Sequence, residues 1–298
     1  MRRVLRLLAR SFVLCIFVVG VAQARSLMLT AVPNMASSGK LRAMYAPLVH
    51  YLSAMTGRPV RFHNPYTLNV LGYMVLKHRP AVLFAGPHII DWAIKHAGYR
   101  PVLAGTGHLH FVLVAKKAGI TLPALRGALV CGLPPPNLAT LALFAKFRGH
   151  VSTPYIVLAR SPRTALSGVL AGRCVAAAVP IKVAQSALAK HVVYTVTDLG
   201  TYPDLAFAIS PRLGSKIQLR LALALRAMEA RPALVPLART YNIPGWFHPS
   251  DALYTGLSHL LNAYPGFSSG SRPSSMRRTH QKAGTSEEAP RPAAKPPG

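Results

Sequence analysis

Four turns hold the side chains best suited to chemistry. "PNMASSGK" (33–40) carries Asn34, Ser37 and Ser38, and "GPHI" sets Gly86 and His88 either side of Pro87. "GLPPPNLAT" places Asn137 and Thr140 behind three prolines, and "ARSPRT" offers Arg160 and Ser161, followed by Arg163 and Thr164. Each turn lies between an apolar β-like run and a helical pattern, so each opens a helix N-terminus. The unpaired N–H groups and partial positive charge there favour an anion. Hydroxyl, amide and imidazole groups add donors, and the arginines add full charge. The same Ser, Thr and Asn types also cap their own helices, and about half or more are expected to do only that. Convergence of the turns on one place is what would make them a site.

The elements that must bring them together alternate. "LMLTAV", "PVRFH" and "AVLFA" read as strands. Between them "SSGKLRAMYAPLVHYLSAMTG" and "TLNVLGYMVLKH" read as helices, and "HIIDWAIKHA" follows as a third. Leu41, Met44, Tyr45, Leu48, Leu52 and Met55 share one helical face, stopped at Gly57. After "RPVLAG" and "HFVLVAKK" the pattern restarts with "GALVCG", "NLATLALFAKF", "YIVLA", "SPRTALSGVLAG", "CVAAAV" and "IKVAQSALAKH". Such alternation predicts an α/β chain with mainly parallel sheets flanked by helices. The restart predicts two lobes, 25–114 and 115–204, with "DLAFAIS" returning the chain to the first lobe over 205–264. Ligands of open parallel sheets bind beyond the carboxyl ends of the strands, which places the four turns at an interlobe cleft.

Residues 1–24 read as a secretory signal: Arg2, Arg3, Arg6 and Arg10 precede an apolar run from Phe12 to Ala22, and Ala22-Gln23-Ala24 is a small-x-small cleavage site. The run is shorter than the roughly 20 residues of a bilayer span. Export to a bacterial periplasm follows, with cleavage between Ala24 and Arg25; an uncleaved anchor is the weaker reading. From 265 the composition turns to Ser, Gly, Pro, Arg and Ala, the signature of a disordered tail over 265–298. Cys131 and Cys174 remain in the body. An oxidising compartment permits their disulfide, but each sits in an apolar β-like run, and buried free thiols are the expectation.

The full chain carries a formal +28, and residues 25–264 hold 25 basic against 5 acidic side chains. Such a field attracts anions without selecting among them. The basic residues are mostly single, with no arginine-rich helix, zinc finger or aromatic-interleaved basic strand, so specific nucleic-acid recognition is not expected. No Gly-x-Ser-x-Gly elbow, Walker loop or His-Glu-x-x-His is present, and the five acids of the body are scattered, so an enzyme is not expected. No cofactor is expected, and a monomer is. The alternatives to anion capture for transport are a sensory binding role and a zinc or copper site: His108 and His110 alternate along one strand, with His88 as a further ligand.

The ordered set "LMLTAVPN", "YAPLVHYLSAMTGRPVRF", "AVLFAGPHII", "GITLPALRGALVCG", "ALSGVLAGRCVAAAV" and "LARTYNIPGWFHPSDALY" resembles the periplasmic substrate-binding proteins of phosphonate, phosphite and phosphate ABC transporters, over nearly all of 27–263. The resemblance implies the two-lobed type 2 periplasmic binding fold, hinge closure on a small anionic ligand, no catalytic residues, and delivery to an ABC permease in the inner membrane. It implies a cleft role for Tyr66, and for Asp204 as acceptor of a ligand ammonium, against the alternatives of a packed loop aromatic and a surface-turn aspartate. Two departures bear on the ligand. His88 stands where such proteins commonly place a small hydroxyl residue. Pro134, Pro135 and Pro136 replace a turn rich in Ser, Thr and Gly, and proline has no N–H to give.

Overall fold

Short runs of branched and aromatic residues form β1 (Leu27–Ala31), β2 (Val60–His63) and β3 (Val82–Ala85), which pair in parallel in the order β2-β1-β3. Parallel neighbours need a crossover, supplied by α1 (Ser38–Thr56) and α2 (Leu68–Leu76). This is a computed structural model, and it describes residues 26–33, 37–148, 152–227, 230–264 and 267. The signal expected over 1–24, Asn34, and the tail over 265–298 apart from Phe267 lie outside the described residues.

β10 (Ala206–Ile209) enters antiparallel between β3 and β4 (Arg100–Gly105), and β11 (Trp246–Phe247) closes that edge. The second sheet runs β7 (Tyr155–Leu158), β6 (Leu129–Gly132), β8 (Ala176–Pro180), β5 (His108–Ala115), β9 (Tyr194–Pro203). Its β6-β7 and β6-β8 pairs are parallel, while β5 is antiparallel to both β8 and β9. Each sheet thus has a parallel part and antiparallel strands where the chain enters or leaves. β9 is absent from the strands read in the sequence because "YTVTDLGTYP" is an edge strand with a single buried residue and no apolar run.

On one face of the first sheet, Tyr45, Leu48 and Leu52 of α1 pack with Leu221 of α7 (Ser215–Arg226) and Leu237 of α8 (Ala230–Tyr241) around Phe84 and Phe207. The last two rings stack at 4.4 Å. α1 ends on Gly57, whose φ of 67° lets its N–H reach the Ser53 carbonyl. Met55, expected on the same buried face, is instead exposed. On the other face, α2 and α3 (Pro87–Ala97) share one apolar body with α4 (Leu138–Lys146) of the second sheet. α5 (Pro162–Leu170) and α6 (Ile181–Ala189) cover the second sheet's remaining face.

Three expectations are corrected. The sequence boundary at 114 assigns β5 to the first lobe, yet β5 pairs wholly within the second sheet, so the crossing falls at Thr106–Gly107. An apolar strand does not show in sequence which sheet it joins. The i,i+4 spacing of Asp91 and Lys95 predicts a surface pair; the pair forms at 2.9 Å, but Asp91 is buried and also accepts the Ser258 N–H at 2.6 Å, tying α3 to the 3-10 segment Leu257–Ala263. Cys131 and Cys174 form a disulfide across a Cα separation of 5.7 Å. They are 43 residues apart in sequence, but one lies on β6 and the other directly before its parallel neighbour β8. Gly168 of α5 makes room for it, since a Cβ there would lie 2.5 Å from Cys131 Sγ.

Phe267, within the segment read as tail, is buried, its ring 4.7 Å from Trp92. Replacing both Cys131 and Cys174 with Ser is expected to lower unfolding free energy by about 2–4 kcal/mol, the range for closing a loop of this length. Denaturant melts measure it, and an unchanged midpoint would contradict the disulfide's role.

Candidate ligand cleft

The carboxyl ends of β1, β2, β3, β6 and β7 all open on one cleft of about 780 Å³ between the two sheets. The first sheet contributes 31–33, 64–68, 84 and 86–88, with Leu205 from the return segment and Tyr241 from the end of α8. The second contributes Leu109 and Phe111 of β5, the turn 133–138, Ala159 and Arg160. The lining is mainly apolar. Among the described residues it holds one cation, Arg160, and no carboxylate.

Gly86 caps α3 without any side-chain hydrogen bond, and Pro87 occupies the first helical position, where a missing N–H costs nothing. His88 follows and is 4% exposed. Its ring lies against Gly86, where a Cβ would come within 3.0 Å of Cε1, so the glycine leaves space for the imidazole. Neither ring nitrogen has a hydrogen-bond partner among the described residues. Burial holds the His88 pKa down to about 4, against a weak upward pull from the Pro136 carbonyl. At neutral pH the ring is therefore uncharged, with one N–H donor and one acceptor nitrogen, both buried in the cleft wall.

The opposing wall is the proline turn. Thr140 Oγ donates to the Leu133 carbonyl at 2.6 Å, pinning the turn to α4. The Asn137 N–H is spent on the Pro134 carbonyl and the Ala139 N–H on Asn137 Oδ1. Of the three N–H groups that follow the prolines, on Asn137, Leu138 and Ala139, two are thus consumed inside the turn. Thr67 similarly caps α2 by accepting from the Val70 N–H.

Of the residues singled out in the sequence, Tyr66, Gly86, His88, Asn137 and Arg160 meet at the cleft, with Tyr66 91% exposed at its mouth. The other described ones lie outside the lining, for identifiable reasons. Ser37 caps α1 through the Lys40 N–H, Ser38 is exposed on α1, and Ser161 closes a capping box with Thr164. Thr140 is occupied by Leu133, and Asn34 is not described. The three histidines do not gather: His110 pairs with Asp198 at 3.1 Å, His108 is exposed at the start of β5, and no metal-binding trio of His, Cys, Asp or Glu occurs among the described residues. Phe84, Leu109, Phe111, Leu205 and Tyr241 carried no signal, since apolar residues of strands and helix ends look the same whether they face a core or a cleft.

Asp204 is neither a surface residue nor part of the lining. It is 3% exposed where the two segments linking the sheets run side by side, with Gly105 donating to the Leu205 carbonyl at 3.0 Å. A Cβ on Gly105 or Gly107 would approach Asp204 Oδ2 to 2.8 or 2.6 Å, so both glycines permit that close passage. Burial pushes the Asp204 carboxyl up, partly offset by the Leu205 N–H and by His108 and Lys182.

These two groups give opposite pH signatures. Asp204's stabilising contribution is complete below the ordinary carboxyl pKa near 4 and is lost as pH rises through its raised folded value. Asp204→Asn should therefore stabilise the protein at pH 7 and have little effect at about pH 3.5. His88's contribution is complete above about 6.5 and is lost as pH falls through about 4. His88→Ala should accordingly gain stability relative to the native chain over that interval. Denaturant midpoints at several pH values measure both, and pH-independent differences would contradict them.

The sequence profile of the family described as ABC transporter, phosphonate, periplasmic substrate-binding protein matches residues 30–254. Similar solved structures include a Xanthomonas citri protein bound to ATP, 14% identical, covering 80% of this chain and 97% of that one with a TM-score of 0.62. PhnD1 from Prochlorococcus marinus in complex with methylphosphonate is 12% identical, covering 80% and 98%, with a TM-score of 0.59. A binding-protein component of an ABC phosphonate transporter from Pseudomonas aeruginosa is 12% identical, covering 79% and 85%, with a TM-score of 0.56. At these identities the likeness is one of fold. No curated protein matches the chain.

Proposed function

This chain belongs to the family of periplasmic substrate-binding proteins of phosphonate ABC transporters, and on that premise we propose that it captures a small anionic solute in the cleft between its sheets for an inner-membrane permease. The two lobes close about the paired crossings at Thr106–Gly107 and Asp204–Leu205, and the exported chain loses its signal between Ala24 and Arg25. The solute meets His88 and the N-terminus of α3 on one wall and Arg160 on the other.

His88 carries this reading. A buried polar group left without a partner costs about 1–3 kcal/mol, and the Pro136 carbonyl that acts on the ring makes no hydrogen bond of good geometry with either nitrogen. A ligand hydrogen-bonded to either nitrogen removes that cost on binding. The open N-terminus of α3 lies beside it, and the partial charge of that helix favours an anion in the same place.

A thermal-shift screen against phosphate, phosphite, methylphosphonate, larger phosphonates, sulfate, carboxylates and zinc tests the reading. Any ligand at 100 times its dissociation constant should add about 2.7 kcal/mol. His88→Ala is expected to weaken binding of the active anion by more than about tenfold, or 1.4 kcal/mol, while the Tm at pH 7 stays within a few degrees, because the ring has no hydrogen bond to lose. A shift with zinc alone, or unchanged anion affinity in the variant, would contradict it.

A further inference from the structure

The walls of the cleft are unsuited to a compact, highly charged oxyanion. Such an ion needs several donors to replace its water, yet the turn facing His88 presents three prolines and spends two of the next three N–H groups internally. His88 is neutral, with a pKa near 4. The cations collect at one end: a smaller cavity of about 280 Å³ shares Ala159 and Arg160 with the cleft and adds Arg173 and Thr164. No carboxylate lines either cavity among the described residues. The rest of the cleft is walled mainly by Phe84, Leu109, Phe111, Leu133, Leu205 and the prolines, with tyrosine hydroxyls and the Asn64 amide as scattered neutral polar groups. Its volume falls within the roughly 300–1,000 Å³ that holds drug-sized organic ligands.

We propose that the solute is an amphiphilic organic acid, its acidic headgroup at Arg160 and an apolar body of about ring size against the proline turn and the β5 side chains. This rests on the reading of the cleft as the solute site and narrows its ligand. The headgroup gains its charge partner at the exposed guanidinium, where desolvation is least. The body gains in proportion to the apolar surface it buries. His88 supplies one neutral hydrogen bond from the opposite wall to an oxygen of the same headgroup.

Calorimetric titration of the native chain with two graded series decides it: methyl-, butyl- and phenylphosphonate, and acetate, pentanoate and benzoate. Affinity is expected to rise at least about tenfold from the smallest to the largest member of each series, with a negative heat-capacity change that grows along it. Arg160→Ala, an exposed position, should weaken every member by a similar factor. Leu109→Ser, half-buried on the cleft wall, should flatten the rise and leave the smallest members unaffected. Methylphosphonate or acetate binding as tightly as its aryl counterpart would overturn this inference and leave the solute-binding reading standing. Failure of every member of both series to bind would overturn both.

Discussion

The architecture depends on the close passage of two backbone segments. Gly105-Thr106-Gly107 and Asp204-Leu205 cross between the sheets side by side, and the space for Asp204 exists only because neither glycine has a Cβ. With the sheets joined there, the carboxyl ends of their parallel strands face each other, and the cleft follows from that orientation. A carboxylate buried at the crossing is destabilising in its charged form, so the joint is held together at some cost to stability at neutral pH.

The cleft so formed divides its chemistry unevenly. Its first wall has an open helix N-terminus and a neutral imidazole; its second has a rigid apolar turn with a guanidinium at one end. A receptor for compact phosphoryl groups needs converging N–H and hydroxyl donors. Here donors of the second wall are spent internally: the Thr140 hydroxyl on the Leu133 carbonyl, the Ala139 N–H on Asn137 Oδ1, and the Thr164 N–H on Ser161 Oγ. Their inward bonds make the wall stiff, and the same bonds leave it poor in donors.

The order of elements and the two lobes were legible because apolar runs alternate with helical faces, a local property. Gly86, His88, Asn137 and Arg160 were legible because strand-to-helix turns of an α/β sheet face a cleft. Legibility ended where a residue's role depends on a partner distant in sequence. Ser161 and Thr140 look like donors until the atoms they already bond are known. Asp204 looks like a turn aspartate until two glycines about a hundred residues earlier are seen against it. The Cys131–Cys174 bridge joins adjacent strands that the sequence separates by a whole αβα unit. Apolar lining residues such as Phe111 and Leu205 are the hardest to read, because a strand residue facing a cleft has the same composition as one facing a core.

The most direct test is nitrogen NMR of the His88 ring in histidine-labelled protein, titrated with the tightest-binding organic acid. The account predicts a neutral ring in the free protein at pH 7 and a large shift of one ring nitrogen on saturation, as a hydrogen bond to the ligand forms. A ring resonance unchanged at saturation would place the solute elsewhere and contradict the account.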